Sequence, residues 1–188
     1  MMSSWQHLLA TSLRNTQDVP ESRFFQLATV DQNGFPQNRT VVCRGFDEHQ
    51  AVLWVVTDTR NQKVPELMQN PHASVCWYFS QTREQYRMAV HTRISTPDME
   101  QEVCEQHWHC LSDAARQQFL WGIPGSLREF PERRLGEGIR DIESLPAHFC
   151  VLAMSVRSVD YLNLFGNPQQ RRRFTLMKGD WQGVELIP

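Results

Sequence analysis

The sequence predicts a mainly β fold: a closed antiparallel barrel of short strands with helices at its periphery. Five or more runs rich in β-branched and aromatic residues follow one another through short connections. Only one helical pattern interrupts the early strands, whereas a parallel βαβ fold needs a helix after almost every strand. We expect one domain over residues 1–188, since a hydrophobic share of 40% is enough for one core.

The chain begins with an amphipathic helix and a tight hairpin. Residues 3–15 carry apolar side chains at helical spacing, so we expect this helix to lie against the barrel. Two strands, 24–30 and 36–42, flank Asn33-Gly34, a pair that favours the positive φ of a tight turn.

The later elements alternate between strands and one long insertion. Helical and loop structure is predicted over about 97–145, where 97–121 is helical and 122–141 is an excursion rich in glycine, proline and charge. The other predicted elements are a strand over 51–57, a short helix over 61–70, a hairpin over 72–79 and 83–94, and strands over 149–164, 171–178 and 181–187.

Composition and charge exclude several classes of protein. A net charge of −2 argues against a general polyanion binder, so we expect no nucleic-acid partner. No apolar run approaches the roughly 20 residues that cross a bilayer, and the first residues lack the order of a secretory signal, so we expect a cytoplasmic protein without a membrane partner. The run 104–110 holds two cysteines and two histidines, but a helix would splay His107 and His109 apart, so we expect no metal site.

Cations at strand ends indicate a local anion site. Four of them stand at the ends of two β-rich runs: Arg39, Arg44, Arg60 and Lys63. Guanidinium groups match phosphate oxygens two at a time, and each charge-assisted hydrogen bond contributes roughly 1.5–3 kcal/mol. A plainer interpretation is that such cations keep strand edges soluble.

The order of five motifs resembles that of pyridoxamine 5'-phosphate oxidase and its FMN-binding split-barrel relatives, over nearly the whole chain. The motifs are an arginine with apolar residues and a second cation, an apolar residue before threonine, a basic pair opening a helix, a glutamine on the next hairpin, and a late arginine before phenylalanine. The matching residues, in that order, are Arg39, Thr40, Val41, Val42 and Arg44; Val56 and Thr57; Gln62 and Lys63; Gln85; and Arg173.

The resemblance implies a split antiparallel β-barrel that binds FMN through these residues. Arg39 and Lys63 would supply charge to the FMN phosphate, while Thr57 and Gln85 would donate to the phosphate rim, the ribityl hydroxyls or the flavin carbonyls. Arg39 and Arg44 differ by an odd number, so either a bulge intervenes or the two serve different ends of the site or different subunits. The family also implies a homodimer with FMN at the subunit interface and a two-electron reaction on a small-molecule substrate.

Departures from the oxidase pattern fall on the substrate side. The family's Arg-Leu-His run is absent from 167–173, where three arginines end the segment, and Leu162 stands where the oxidase has a flavin-contacting tryptophan. The residues that grip the substrate phosphate have no clear counterparts; Trp108, Ser112 and Arg116 stand in that region instead. No catalytic residue is therefore assigned.

Alternative functions remain open at this point. The chain could be a non-catalytic FMN holder or a regulatory binding protein, or its pocket could take haem, with His72, His91 or His148 as ligand. Arg171, Arg172 and Arg173 suggest RNA contact, but alternation along a strand puts only Arg171 and Arg173 on one side. The excursion after Gly122 must bury its apolar residues, and a partner subunit is one place for them: Ile123, Leu127 and Phe130.

Overall fold

The protein is built on one antiparallel sheet, shown by a computed structural model that describes residues 4–128, 135–136 and 141–188. The strands of these residues are β1 Phe24–Val30, β2 Pro36–Val42, β3 Gly45–Asp47, β4 Val52–Asp58, β5 His72–Phe79, β6 Glu84–Ser95, β7 Phe149–Asn163, β8 Gln170–Met177 and β9 Asp180–Leu186.

Strand order closes the sheet towards a barrel. The path runs β2-β1-β5-β6-β7-β4-β3, and β8 and β9 continue from β7. Every pairing is antiparallel, and β2 also contacts β4, so the two ends of the path approach each other. The mainly antiparallel β architecture predicted from the sequence is confirmed.

The helices lie at the periphery of the sheet. They are α1 Trp5–Asn15, α2 Lys63–Gln69, α3 Gln101–His109 and α4 Asp113–Gln118, with a 3-10 turn at Pro20–Arg23. The helix predicted over 97–121 is two helices, because Ser112 takes an extended conformation and its hydroxyl caps α4 by accepting from the amide of Ala115. Phe130 lies outside the described residues.

The β1–β2 turn fixes the register of the hairpin. Gly34 has a φ of 84°, and the Asp31 carboxylate accepts from the amides of Asn33 and Phe35, both at 2.9 Å. These hydrogen bonds hold the pKa of Asp31 below its usual range. The resulting register pairs Leu27 with Arg39.

Two apolar clusters stabilise the structure. The larger fills the barrel, and α1 closes it with Trp5, which is fully buried and packs edge-on against Trp181 at 5.1 Å. The smaller lies outside the barrel, where Trp108 of α3 packs edge-on against Phe149 of β7. Helix α2 adds Val64 and Leu67 to the larger cluster, which packs the helix against β1 and β6.

None of the described helices has the length and apolar character needed to span a bilayer.

Candidate functional site

Arg39, Thr57 and Lys63 belong to one polar cluster. Thr57 lies near the end of β4, and Lys63 opens α2 six residues later. The Lys63 Nζ donates to the Thr57 Oγ1 at 3.1 Å, although the lysine is only 6% exposed. Arg39 lies on the same face of β2 as the buried Val41, which turns its side chain inward rather than to solvent.

Thr29 and Glu66, which the sequence motifs did not include, complete this cluster. The Arg39 Nη1 donates to the backbone carbonyl of Leu27 at 3.3 Å and to the Thr29 hydroxyl, and its Nη2 donates to the Glu66 Oε2 at 2.9 Å. The Thr29 hydroxyl donates to the same Glu66 oxygen at 2.5 Å. Thr29 and Glu66 are both buried.

Burial and like charge set the electrostatics of the cluster. Burial, and after it the positive charge of Arg39, lowers the pKa of Lys63 to about 8. Two cations and one carboxylate leave a formal excess of one positive charge among poorly hydrated groups. Such an arrangement favours an added anion, and a phosphate fits it because both cations and the Thr57 hydroxyl are hydrogen-bond donors.

Arg60, the other cation of this region, is engaged elsewhere. Its guanidinium donates to both carboxylate oxygens of Asp58, the shortest contact being 2.6 Å, and its Nη2 donates to the carbonyl of Gly122. The hydrogen bonds from Arg60 lower the pKa of Asp58 despite its burial. Arg60 therefore holds the start of the excursion and is not part of the Arg39–Lys63 cluster.

A second polar cluster lies on the outer face of β6, β7 and β8. Asp160 accepts from Arg87 at 3.0 Å, from Arg171 at 2.9 and 3.0 Å, and from Arg173 at 3.3 Å. The Arg171 hydrogen bonds, and after them that of Arg173, hold the pKa of Asp160 low. Gln85 lies two residues before Arg87 on the same face of β6.

Arg172 lies on the opposite face of β8. Its Nε donates to the Glu185 carboxylate at 2.9 Å. The predicted parity of the three arginines is therefore confirmed in the structure: only Arg171 and Arg173 share a face.

The remaining motif residues are spread around these clusters. Regular pairing of β2 ends at Val42, and the amide of Arg44 bonds to the carbonyl of Trp54 in β4, so Arg39 and Arg44 are on different segments. The odd spacing of the two arginines thus needs no bulge within β2. Thr40, Arg44 and Gln62 are exposed, Val42 is half-buried, Val41 is in the barrel core, and Val56 packs on the smaller cluster under α3.

The residues of the substrate region stabilise the fold. The Trp108 Nε1 donates to the carbonyl of Glu143, and Arg116 donates to the Glu143 carboxylate at 2.8 Å and to the carbonyl of Leu111. Arg116 is only 9% exposed. These contacts tie the helical insertion to the segment that leads into β7.

The three histidines named as haem ligands do not form one site. His72 and His91 are cross-strand neighbours with ring centroids 5.4 Å apart. His148 is elsewhere, with its Nε2 2.7 Å from the carbonyl of Phe119.

A cavity of about 380 Å³ lies between the β1–β2 turn and α2. Its lining is made of amides, carboxylates and one proline: Asp31, Gln32, Asn33, Gln37, Gln62, Pro65, Glu66 and Gln69. Neither Arg39 nor Lys63 lines it, and its two carboxylates would repel a phosphate. The charges of the Arg39–Lys63 cluster suit an anion better than those of this cavity do.

Comparison with known proteins gives a consistent result. Residues 2–96 match the model of the family described as pyridoxamine 5'-phosphate oxidase, FMN-binding domain. The chain is 35% identical over 181 residues to pyridoxine/pyridoxamine 5'-phosphate oxidase 2 of Arabidopsis thaliana, covering 94% of this chain and 90% of the relative.

Solved structures with the same fold include a pyridoxamine 5'-phosphate oxidase-related, FMN-binding protein from Nostoc punctiforme. It superimposes with a TM-score of 0.89 at 36% identity and covers 100% of this chain and 98% of its own. PhzG from Burkholderia lata, solved with tetrahydrophenazine-1-carboxylic acid, has a TM-score of 0.81 at 18% identity, covering 100% and 94%, and shows the fold alone. The predicted FMN-binding split-barrel type is confirmed.

We predict that replacing Arg39 by alanine raises the pKa of Lys63 from about 8 towards its ordinary value of 10.5. The substitution removes a neighbouring positive charge and leaves Glu66 free to stabilise the ammonium. NMR titration of the lysine Nζ in flavin-free protein measures this. Arg172→Ala, on another face, should leave the Lys63 pKa unchanged; an unchanged pKa in Arg39→Ala would show that the two cations do not interact.

Proposed function

We propose a function from one premise: the chain belongs to the pyridoxamine 5'-phosphate oxidase family of FMN-binding proteins. FMN is the cofactor of this family, and when bound it supplies two-electron redox chemistry. The function that fits the site is that of an FMN-dependent oxidoreductase acting on a small molecule, similar to pyridoxamine 5'-phosphate oxidase.

The observation that carries this proposal is the pair of neighbouring cations formed by the half-buried Arg39 and the buried Lys63. Lys63 is held by Thr57, and Arg39 by Thr29 and Glu66, so both cations have fixed positions. The excess positive charge has no partner within the cluster itself, and a phosphate dianion would neutralise it. In this proposal Arg39, Thr57 and Lys63 bind the FMN phosphate.

The outer-face cluster is assigned to the ring end of the cofactor. Gln85 can donate to or accept from flavin carbonyl and ring nitrogen positions, and Arg173 can stabilise negative charge that develops on the ring. Tyr78 pairs with Gln85 across β5 and β6 and is 45% exposed, which provides an apolar surface beside these polar groups. The other motif residues, from Thr40 to Arg44 and at Val56 and Gln62, would line the site through backbone and van der Waals contacts.

The proposed active unit is a cytoplasmic homodimer with FMN between the subunits. The excursion after α4 carries several large apolar side chains that the described residues leave exposed. Leu127 is 96% exposed, Ile123 59%, Leu135 47% and Trp121 42%. An apolar surface of this kind on a small barrel is typical of a subunit interface.

Leu127→Glu tests the dimer. We expect light scattering to give twice the chain mass for the wild type, and a shift towards monomer with loss of FMN for the variant, because a charge would be buried at the interface. Ile187→Glu is the matched control, since Ile187 is 91% exposed and lies outside the excursion, near residue 188. A wild-type monomer that retains FMN would contradict this part of the proposal.

We predict that Arg39→Ala combined with Lys63→Ala yields folded, colourless protein. Losing two charge-assisted contacts should weaken FMN binding by roughly a hundredfold or more. Circular dichroism checks the fold, and the absorbance of flavin released on denaturation gives the FMN content. Arg172→Ala should keep its FMN, and stoichiometric FMN in the double variant would remove both residues from the phosphate site.

Turnover tests the assignment as an oxidoreductase. The FMN-loaded protein should lose its flavin absorbance under anaerobic conditions with a reductant or substrate and regain it when oxygen is admitted. Pyridoxamine 5'-phosphate, pyridoxine 5'-phosphate, NADH and NADPH are the compounds to compare. Bound FMN that none of these reduces would favour a non-catalytic FMN holder.

A further inference from the structure

We propose that Glu66 is a positioning residue that holds the Arg39 guanidinium by one edge, so that its other edge faces the FMN phosphate. The inference rests on the proposed function, because it assigns Arg39 to that phosphate. Neither the sequence motifs nor the comparisons with known proteins point to Glu66. Its assignment comes from the hydrogen bonds of the Arg39 side chain.

One edge of the Arg39 guanidinium donates hydrogen bonds to described residues, and the N–H groups of the other edge do not. A guanidinium has five N–H donors in a rigid planar fork. The two Nη1 hydrogens go to Leu27 and Thr29, and one Nη2 hydrogen goes to Glu66. No described residue accepts from the Nε, which leaves it and the second Nη2 hydrogen as a side-by-side pair. This is the geometry with which arginine binds two oxygens of one phosphate.

The carboxylate of Glu66 is itself firmly held. Its Oε2 accepts from Thr29 at 2.5 Å as well as from Arg39. Glu66 is 8% exposed and Thr29 is 2% exposed. Glu66 also lies three residues after Lys63 on α2, so one turn of helix sets the spacing of the lysine and the carboxylate. Glu66 thus links the β1–β2 hairpin to the helix that carries the second cation.

Two effects of the carboxylate oppose each other. Its charge repels a phosphate, which alone would make removal of Glu66 favourable for FMN binding. Its hydrogen bond fixes the Arg39 side chain, which is 23% exposed. Without that bond, Arg39 would populate several rotamers beside the buried positive charge of Lys63. The phosphate is expected at the edge of the guanidinium away from Glu66, where the repulsion is weaker. Removing Glu66 should therefore lower the affinity for FMN, because the loss of preorganisation outweighs the relief of repulsion.

The experiment compares FMN with riboflavin, which lacks only the phosphate. We expect Glu66→Ala to weaken FMN binding about tenfold and to change riboflavin binding little, so that the preference for FMN falls. Glu66→Gln should restore most of the preference, because its amide oxygen can still accept from the Arg39 Nη2. Glu185→Ala, which removes the partner of Arg172 on another face, should leave both affinities unchanged.

Two outcomes overturn the assignment. If Glu66→Ala keeps the wild-type preference for FMN over riboflavin, Glu66 does not position the phosphate contact. If it weakens both ligands equally, its role is structural only. Should Glu66→Ala fail to fold, Thr29→Val carries the test by removing the hydroxyl that both groups share, and it should lower the same preference.

Arg39→Ala separates this inference from the function on which it rests. If Arg39→Ala abolishes the preference and Glu66→Ala does not, the phosphate site stands and the role of Glu66 is wrong. If Arg39→Ala also leaves the preference intact, the phosphate site itself is wrong.

Discussion

The site depends on burying two like charges close together and offsetting only one of them. Arg39 and Lys63 both lose most of their hydration, and the low pKa of the lysine reflects that loss together with the neighbouring guanidinium. Removing an ion from water costs several kcal/mol unless it is paired. Glu66 pairs with Arg39 and leaves one positive charge uncompensated. An arrangement that costs stability in this way is typical of a binding site rather than of a structural ion pair, because a ligand can relieve the cost.

The strand register makes this cluster possible. Because side chains alternate between the faces of a strand, a slip of one residue between β1 and β2 would turn Arg39 away from Thr29 and Glu66. The tight turn at Gly34, reinforced by the Asp31 carboxylate, prevents such a slip. Helix α2 is placed independently, through the apolar contacts of its own buried face with the barrel core. The β1–β2 turn, which local sequence determines, and helix α2, which distant contacts position, therefore both place groups at the Glu66 carboxylate.

The parts of this structure that local sequence determines could be predicted. Strand β2 was expected over 36–42 and begins and ends there, because Asn33-Gly34 and alternating residues define it without help from the rest of the chain. The helix expected over 61–70 begins at Lys63, since Asn61 is still in a turn bonded to Asp58. The motif order also includes both Arg39 and Lys63, which the fold brings into one polar cluster.

The partners of these two cations could not be predicted in the same way. Thr29 occupies a buried position in the alternation of β1, and Glu66 lies on the buried face of α2. A polar residue in such a position signals a hydrogen-bond partner, but the sequence does not say which one. Arg60 shows the reverse: its charge suggested an anion site, yet Asp58, two residues away, already satisfies it.

In the proposed site, the outer-face cluster limits the chemistry available at the ring end of the cofactor. Arg171 occupies the segment where the oxidase pattern has a histidine, and two hydrogen bonds fix it to Asp160. The hydrogen bond to Asp160 raises the pKa of Arg171, so the guanidinium stays charged at every physiological pH. An imidazole can give and take a proton near neutral pH, whereas this guanidinium cannot. The arginines of this cluster can therefore contribute charge and shape but not proton transfer. If a reaction at this site needs a general acid or base, that group must belong to the substrate or to another segment of the protein.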